Sequence, residues 1–159
     1  MLTEPYLAPT NTRHFTDLSL HAIAFQGWQV AEYQKAKDYI NVLMWWDAAR
    51  VELYVDDAQK NTDIKGSAVR ERLKGKPVLN ADVLDFLLEH QQFIPEDWKK
   101  KDKRGNTRRI FFWGTIYCRP NGDRYVRYLC WDKNEWVWDF YWLGALWQDN
   151  YTAALWHDG

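Results

Sequence analysis

The stretch IFFWGTIYCRPNGDRYVRYLCWDKNEWVWDFYWL, residues 110–143, decides the fold. It is dominated by β-branched and aromatic residues, which favour strands, and polar turn residues interrupt it twice. Asn121-Gly122 is the strongest short hairpin signal because both positions tolerate a positive φ. Residues 132–135 form the second polar turn. We therefore predict an antiparallel three-stranded meander with strands at residues 110–117, 124–131 and 136–143.

The two turns predict the register of this meander. The first turn places Tyr117 opposite Val126, and the second places Trp131 opposite Trp136. Strand side chains alternate between two faces, so a register shift of one residue would exchange those faces.

The larger and more apolar face is expected to be core, with Arg127 as its odd member, stacked on Phe140 or Trp142 near an edge. The other face combines aromatic rings with polar residues. Two interpretations of this second face stay open. Residues 144–159 cover it and make it a second core, or it is an exposed aromatic platform of the kind that marks a binding site.

Residues 1–97 have a mixed pattern. It predicts a helix over about residues 29–50, a strand over 51–55, a loop over 57–65, a helix over 67–74 and a helix over 81–91 that Asn80 caps. A further helical turn follows Pro95. The expected class is therefore α+β, with an N-terminal mixed helical region packed on a C-terminal three-stranded antiparallel aromatic meander.

Composition divides the 159 residues into three stretches of one folded unit. They are a mixed region at 1–97, a basic loop at 98–109 and the aromatic meander with its C-terminal cover at 110–159. The basic loop, WKKKDKRGNTRR, carries seven basic residues and one acidic residue, although the whole chain has a net charge of −1. The 11 tryptophans are the unusual feature of the composition.

Several classes of protein are not expected. No apolar run is long enough to span a bilayer, and residues 1–16 do not form a secretory signal. The two cysteines, Cys118 and Cys130, are too few for a disulfide scaffold and fall on different predicted faces, so we expect free thiols and a cytoplasmic location. The sequence contains no nucleophile elbow, phosphate-binding loop or metal-ligand spacing, so we expect no metal and no cofactor. A cysteine nucleophile stays open, but the overall indication is against an enzyme.

The leading functional hypothesis is a non-enzymatic interaction protein, of the kind that phages and mobile elements use as inhibitors or accessory factors. It would dock a protein partner through the second face of the sheet, because Trp and Tyr are enriched at interface hot spots. The proposed partner-binding residues are Trp113, Tyr117, Tyr128, Tyr141 and Asp139.

Two alternatives belong to other classes. A single-stranded nucleic-acid-binding module would track the phosphate backbone with its basic loop while aromatic rings stack on bases. Its residues would be Lys99, Lys100, Lys101, Lys103, Arg104, Arg108 and Arg109. A carbohydrate-binding module would use exposed aromatic rings with Asp139 and Thr115 as polar partners.

Residues 77–154 resemble small uncharacterised bacterial proteins. The resemblance is carried by PVLNADVLDFLLEH at 77–90, FIPEDWK at 93–99, IFFWGTIY at 110–117, YVRYLCW at 125–131 and WVWDFYWL at 136–143. It covers about half of the chain. It implies a bacterial or phage origin and no particular activity, since none is assigned to that group.

Overall fold

The computed structural model describes residues 28–34 and 46–157, and within these ranges the protein is mostly β. Seven strands form one curled, half-barrel sheet, and two form a small second sheet. The strands are β1 (Gln29–Tyr33), β2 (Val51–Tyr54), β3 (Ile64–Lys65), β4 (Arg109–Phe111), β5 (Thr115–Cys118), β6 (Arg124–Asp132), β7 (Glu135–Trp142), β8 (Leu146–Trp147) and β9 (Tyr151–Trp156). The α-helices are α1 (Asp57–Asn61), α2 (Gly66–Arg72) and α3 (Ala81–Glu89). Short 3-10 turns lie at Ala48–Arg50, Gln91–Phe93 and Glu96–Lys99.

The large sheet forks at its longest strand, β6. One edge of β6 pairs with β7 along its whole length, whereas the other edge pairs first with β5 and then with β4. Beyond this fork, β1 pairs antiparallel with β5. On the other branch, β9 runs parallel beside β4, and β2 pairs antiparallel with β9. The small sheet joins β3 to β8.

The fork begins at Gly114, between β4 and β5. Its N–H donates to the carbonyl of Leu79 at 2.8 Å. A Cβ at Gly114 would lie 2.9 Å from the backbone of Asn80, so only glycine fits this approach. Asn80 in turn caps α3, because its side-chain oxygen accepts the N–H groups of Asp82 and Val83. The bend in the sheet and the start of α3 are thus held together.

The predicted α+β class, with an N-terminal helical region over a three-stranded meander, is wrong. Gln29–Tyr33, predicted as the start of a helix, is strand β1, and residues 35–45 of that prediction lie outside the described residues. Residues 57–65, predicted as a loop, contain α1 and β3. The predicted C-terminal cover includes β9, which is an inner strand of the sheet. Local periodicity missed these features because strands far apart in the sequence supply the pairing.

The register of the second hairpin is confirmed, and that of the first is wrong by one residue. Trp131 lies opposite Trp136, as the two-residue turn requires. Tyr117 lies opposite Tyr125 instead of Val126. The first hairpin has a three-residue loop. The backbone N–H of Arg119 donates to the carbonyl of Asp123 across its base, and Gly122 within it adopts a φ of 93°. The shift moves Ile116 and Tyr117 to the faces opposite to those predicted.

Both faces of the sheet are packed, so the interpretation of the second face as core is confirmed. On the first face, α3 covers an apolar cluster that includes Trp46, Phe112 and Trp136. On the second, α2 and the fully buried Trp147 cover Phe111 and Trp113, among others. The helices over residues 67–74 and 81–91 are confirmed as α2 and α3, apart from their ends. No helix in the described part of the chain is long and apolar enough to cross a membrane.

Candidate binding pocket beside the basic loop

Arg109, the last residue of the basic loop and the first of β4, lies among three tyrosine rings. Its guanidinium carbon is 4.6 Å from the ring centroid of Tyr128, 5.4 Å from that of Tyr141 and 4.6 Å from that of Tyr151. The sheet topology brings these rings together, because β6, β7 and β9 supply one each and β9 places Tyr151 beside Arg109. Three rings at cation–π distance fix the position of the guanidinium.

A pocket of about 590 Å³ opens at this arginine. The basic loop contributes Asn106 and Thr107 to its wall, and the segment before β9 contributes Gln148 and Asn150. The sheet contributes Tyr128, Cys130, Asp139 and Tyr151, and Asp132 lies at the end of β6. The volume falls in the range of about 300–1,000 Å³ that is usual for small-molecule sites.

The guanidinium of Arg109 is half-buried and makes no ion pair with any described residue. Burial raises the pKa of Tyr128 to about 12, although the nearby Arg109 lowers it. Burial likewise raises the pKa of Tyr151 and of the Cys130 thiol. These groups therefore stay protonated at neutral pH, and Arg109 is the cation of the pocket.

Acidic neighbours neutralise most of the basic loop. Lys99 pairs with Glu96 at 2.9 Å and lies 3.9 Å from the ring centroid of Trp131. Lys100 pairs with Asp97 at 2.7 Å. These charges are held within one helical turn rather than presented as a continuous basic surface.

The second half of the loop is a compact turn. The Asp102 carboxylate accepts the N–H of Arg104 at 2.9 Å and that of Asn106 at 2.8 Å. Arg104 also pairs with Asp102 and Asp149, and Arg108 lies 3.8 Å from Asp97. The remaining members, Lys101 and Lys103, are exposed and form no ion pair among the described residues.

The structure brings together some of the predicted partner-binding residues and separates others. Tyr128, Tyr141 and Asp139 lie around Arg109, with Asp139 exposed and Tyr141 half-buried. Trp113 is buried against Trp147, with ring centroids 4.9 Å apart. Tyr117 is fully buried on the opposite face, 5.3 Å from the ring of Phe140. In this conformation neither Trp113 nor Tyr117 offers a surface to a partner.

The polar and nucleophilic candidates are also located. Thr115 is fully buried, and its hydroxyl accepts the N–H of Ala81 at 3.0 Å, so it is not accessible to a glycan. Cys118 and Cys130 are both free thiols. Within the ranges 28–34 and 46–157 no group of three or more acidic, histidine or cysteine side chains is placed to hold a metal ion.

Sequence reasoning missed the wall formed by Gln148, Asn150 and Tyr151. The segment that contains them was predicted as a cover for the sheet, but it enters the sheet as β9. The run YTAALW at residues 151–156 carries a weak strand signal, since its small alanines interrupt any alternation. It pairs in parallel with β4, and the paired residues lie about 40 positions apart in the sequence. No local turn signal predicts a pairing over this distance.

No protein-family model, curated protein or solved structure matches the chain. The resemblance of residues 77–154 to small bacterial proteins therefore stays an expectation.

Proposed function

We propose that the protein is a non-enzymatic interaction module that docks a protein partner at the end of β7. The proposal rests on two exposed side chains, Trp142 (44% exposed) and Leu146 (54% exposed). Within the described ranges these are the large apolar residues that are exposed to solvent. They flank the turn between the two strands, because Trp142 ends β7 and Leu146 begins β8, and Tyr141 lies beside them. We call Tyr141, Trp142 and Leu146 the Trp142 corner.

Hydrogen bonds hold the Trp142 corner in shape. The hydroxyl of Tyr141 donates to the carbonyl of Leu146 at 2.8 Å. The carbonyl of Trp142 accepts the indole N–H of Trp147 at 3.2 Å and the backbone N–H of Ala145 at 3.2 Å. A preorganised corner loses little entropy on binding, which favours tight association.

The partner contacts side chains rather than adding a strand to β7. Among the described strands β7 pairs with β6 alone, so its other edge has no partner strand within residues 28–34 and 46–157. However, the N–H of Phe140 already donates to the Asp139 carboxylate at 2.7 Å, and the Trp142 carbonyl is occupied. Such capping protects an edge strand against pairing with another chain.

The charges beside the corner are of both signs. The exposed Lys65 lies opposite Leu146 in the β3–β8 register, and the exposed Asp139 lies three residues before Trp142 on β7. Glu135 lies at the far end of β7 and does not contribute to the corner. A partner surface with an apolar recess for Trp142 and a polar rim of both charges complements this arrangement.

Site-specific photo-crosslinking in the native host tests this proposal. A photoreactive residue is placed at Leu146 and, as a control, at the exposed Lys74, two residues after α2. We expect one protein to be captured from Leu146 and not from Lys74. With that protein purified, Trp142→Ala should weaken binding about 30-fold, as a hot-spot residue does, and Lys74→Ala should leave it unchanged. Equal capture at both positions, or full binding by Trp142→Ala, would contradict the proposal.

Single-stranded nucleic acid is the second candidate. It is favoured by Lys101 and Lys103, which form no ion pair with any described residue, and by Arg109 among its tyrosines. Three available charges, instead of the seven in the sequence, predict a slope of about −2 for log K against log salt. Fluorescence anisotropy with labelled single-stranded RNA, single-stranded DNA and duplex at several salt concentrations measures this slope. Binding that ignores salt, or no binding at low salt, would remove this candidate.

A further inference from the structure

We propose that the pocket at Arg109 is a binding site for the carboxylate group of a ligand. This inference does not rest on docking at the Trp142 corner, although Tyr141 contributes to both sites. A half-buried guanidinium without an ion pair has its hydrogen-bond donors available, and desolvation strengthens their interaction with an anion. Arg104 and Arg127, by contrast, have carboxylate partners within the protein.

The geometry of the guanidinium favours an oxyanion that accepts two parallel hydrogen bonds. The rings of Tyr128 and Tyr151, each 4.6 Å from the guanidinium carbon, restrict the plane of the side chain. An arginine held in this way loses little rotamer freedom when it binds a carboxylate with both arms of its fork. The raised pKa of Tyr128 keeps its hydroxyl protonated, so no tyrosinate competes with the ligand for Arg109.

The acidic residues of the wall select a singly charged anion. Asp132 and Asp139 line the same pocket, and Asp139 lies opposite Tyr128 in the β6–β7 register. A phosphate group, with a charge of about −1.5 to −2 at neutral pH, meets more repulsion there than a carboxylate with a charge of −1. The same two carboxylates favour a ligand that carries N–H donors or a cation next to its own carboxylate.

The volume of about 590 Å³ leaves room for more than the carboxylate itself. Two sources fit this chemistry, a small free carboxylic acid and the C-terminus of a peptide. Both present the same group to Arg109, and they differ in what fills the remainder of the pocket.

Titrations of the isotopically labelled full chain test the site. The readouts are the side-chain Nε–H resonance of Arg109 and the backbone amide of Asn150. The probes are acetate, triglycine, triglycine C-terminal amide and inorganic phosphate at constant ionic strength. We expect saturable shifts with acetate and triglycine, weaker binding of phosphate and none of the amide. Triglycine binding at least tenfold tighter than acetate assigns the site to peptide termini, and equal affinities assign it to small free acids.

The absence of a saturable shift with either carboxylate would overturn the site. Phosphate binding tighter than acetate, or the amide binding as well as triglycine, would overturn the assignment to a carboxylate.

Variants separate the role of Arg109 from general effects. Arg109→Lys keeps the charge but loses the fork and should weaken acetate binding at least tenfold, and Arg109→Met should abolish it. The matched control is Arg119→Met, which removes an exposed arginine 5.5 Å from the ring of Trp28 and should bind acetate as the wild type does. If Arg109→Met does not fold, Asp139→Asn provides a second test. Removing the Asp139 charge should reduce the ratio of acetate affinity to phosphate affinity, because phosphate is then repelled less. Trp142→Ala should leave acetate binding unchanged, so failure of docking and failure of this site are distinguishable.

Discussion

Arg127 is buried on the first face of the sheet, where the sequence predicted a stacking role near an edge. It is 2% exposed, and its guanidinium carbon lies 4.0 Å from the ring centroid of Trp138, not over Phe140 or Trp142. Its Nη2 donates to the carboxylate of Asp85 at 3.0 Å. Burial would lower the pKa of Arg127, but the Asp85 carboxylate raises it above its ordinary value. The cation–π interaction was therefore foreseeable, whereas its depth and its acidic partner were not.

The Arg127–Asp85 pair gives a prediction at the residue scale. Arg127→Met should lower the free energy of unfolding by about 3 kcal/mol, because it removes the buried cation that pairs with the Asp85 carboxylate. Urea denaturation measures the loss. Arg50→Met is the control, since its ion pair with Asp47 is exposed, and it should cost less than about 1 kcal/mol. Adding Asp85→Asn to Arg127→Met should recover part of the loss, and a double variant no more stable than the single would contradict this account.

Elements that carry their own end signals were predictable from sequence. Asn80 caps α3, and the turn before β7 gives the correct register because Lys133 and Asn134 both adopt positive φ. The break between β4 and β5 was not predictable, since residues 110–117 form one uninterrupted strand pattern. What bends the chain there is the approach of Gly114 to Asn80, a contact made only in the folded protein.

At the element scale, Gly114→Ala should destabilise the fold by about 2 kcal/mol or more, because the backbone of Asn80 has to move away from the new Cβ. Gly122→Ala is the comparison, since its φ of 93° is strained for alanine but nothing lies within 4 Å. Amide chemical shifts at the start of α3 should change in Gly114→Ala and not in Gly122→Ala. Unchanged α3 resonances in a stable Gly114→Ala would show that the close approach is not needed.

The cap of α1 predicts a pH dependence. Burial alone would raise the pKa of Asp56, but the N–H of Ala58, the hydroxyl of Tyr54 and nearby Arg72 lower it below its ordinary value of 3.8. The folded state therefore binds fewer protons here, so this stabilisation is complete above about pH 3.8 and is lost as the pH falls through the lower folded-state pKa.

Asp56→Asn keeps a capping side chain but removes the charge. It should cost about 1 kcal/mol at pH 7, and its deficit against the wild type should shrink when unfolding is measured below pH 3.8. Asp57→Asn, which alters an exposed neighbour, is the control. A deficit that stays constant from pH 7 to pH 3 would mean that the charge of Asp56 does not stabilise α1.

At the scale of the whole molecule, the fold depends on pairings that no local pattern reports. The central part of the predicted meander exists, but β9 joins it in parallel and β1 and β2 extend it from the N-terminal half. The candidate pocket depends on the same long-range pairing, since Arg109 and Tyr141 belong to the meander region while Tyr151 arrives with β9. Sequence reasoning therefore identified part of the pocket and missed one of its walls.

Removal of residues 145–159 tests the weight of this pairing. These residues include β9, of which every residue is buried, and Trp147. We expect the shortened chain to lose cooperative thermal unfolding. Without residues 145–159 both apolar cores are exposed, and β2 loses the strand with which it pairs. A shortened chain that still melts cooperatively near the wild-type temperature would mean that the fold does not depend on the pairing of β9.

The parallel contact between β4 and β9 is the central claim, because both the forked sheet and the pocket depend on it. Nuclear Overhauser effects between backbone protons of residues 109–111 and 151–153 measure it directly. Parallel pairing predicts Hα-to-amide contacts in the order Arg109 with Tyr151, Ile110 with Thr152 and Phe111 with Ala153. Close Hα-to-Hα contacts in the reverse order, or no contact between these segments, would contradict both the fold and the site described.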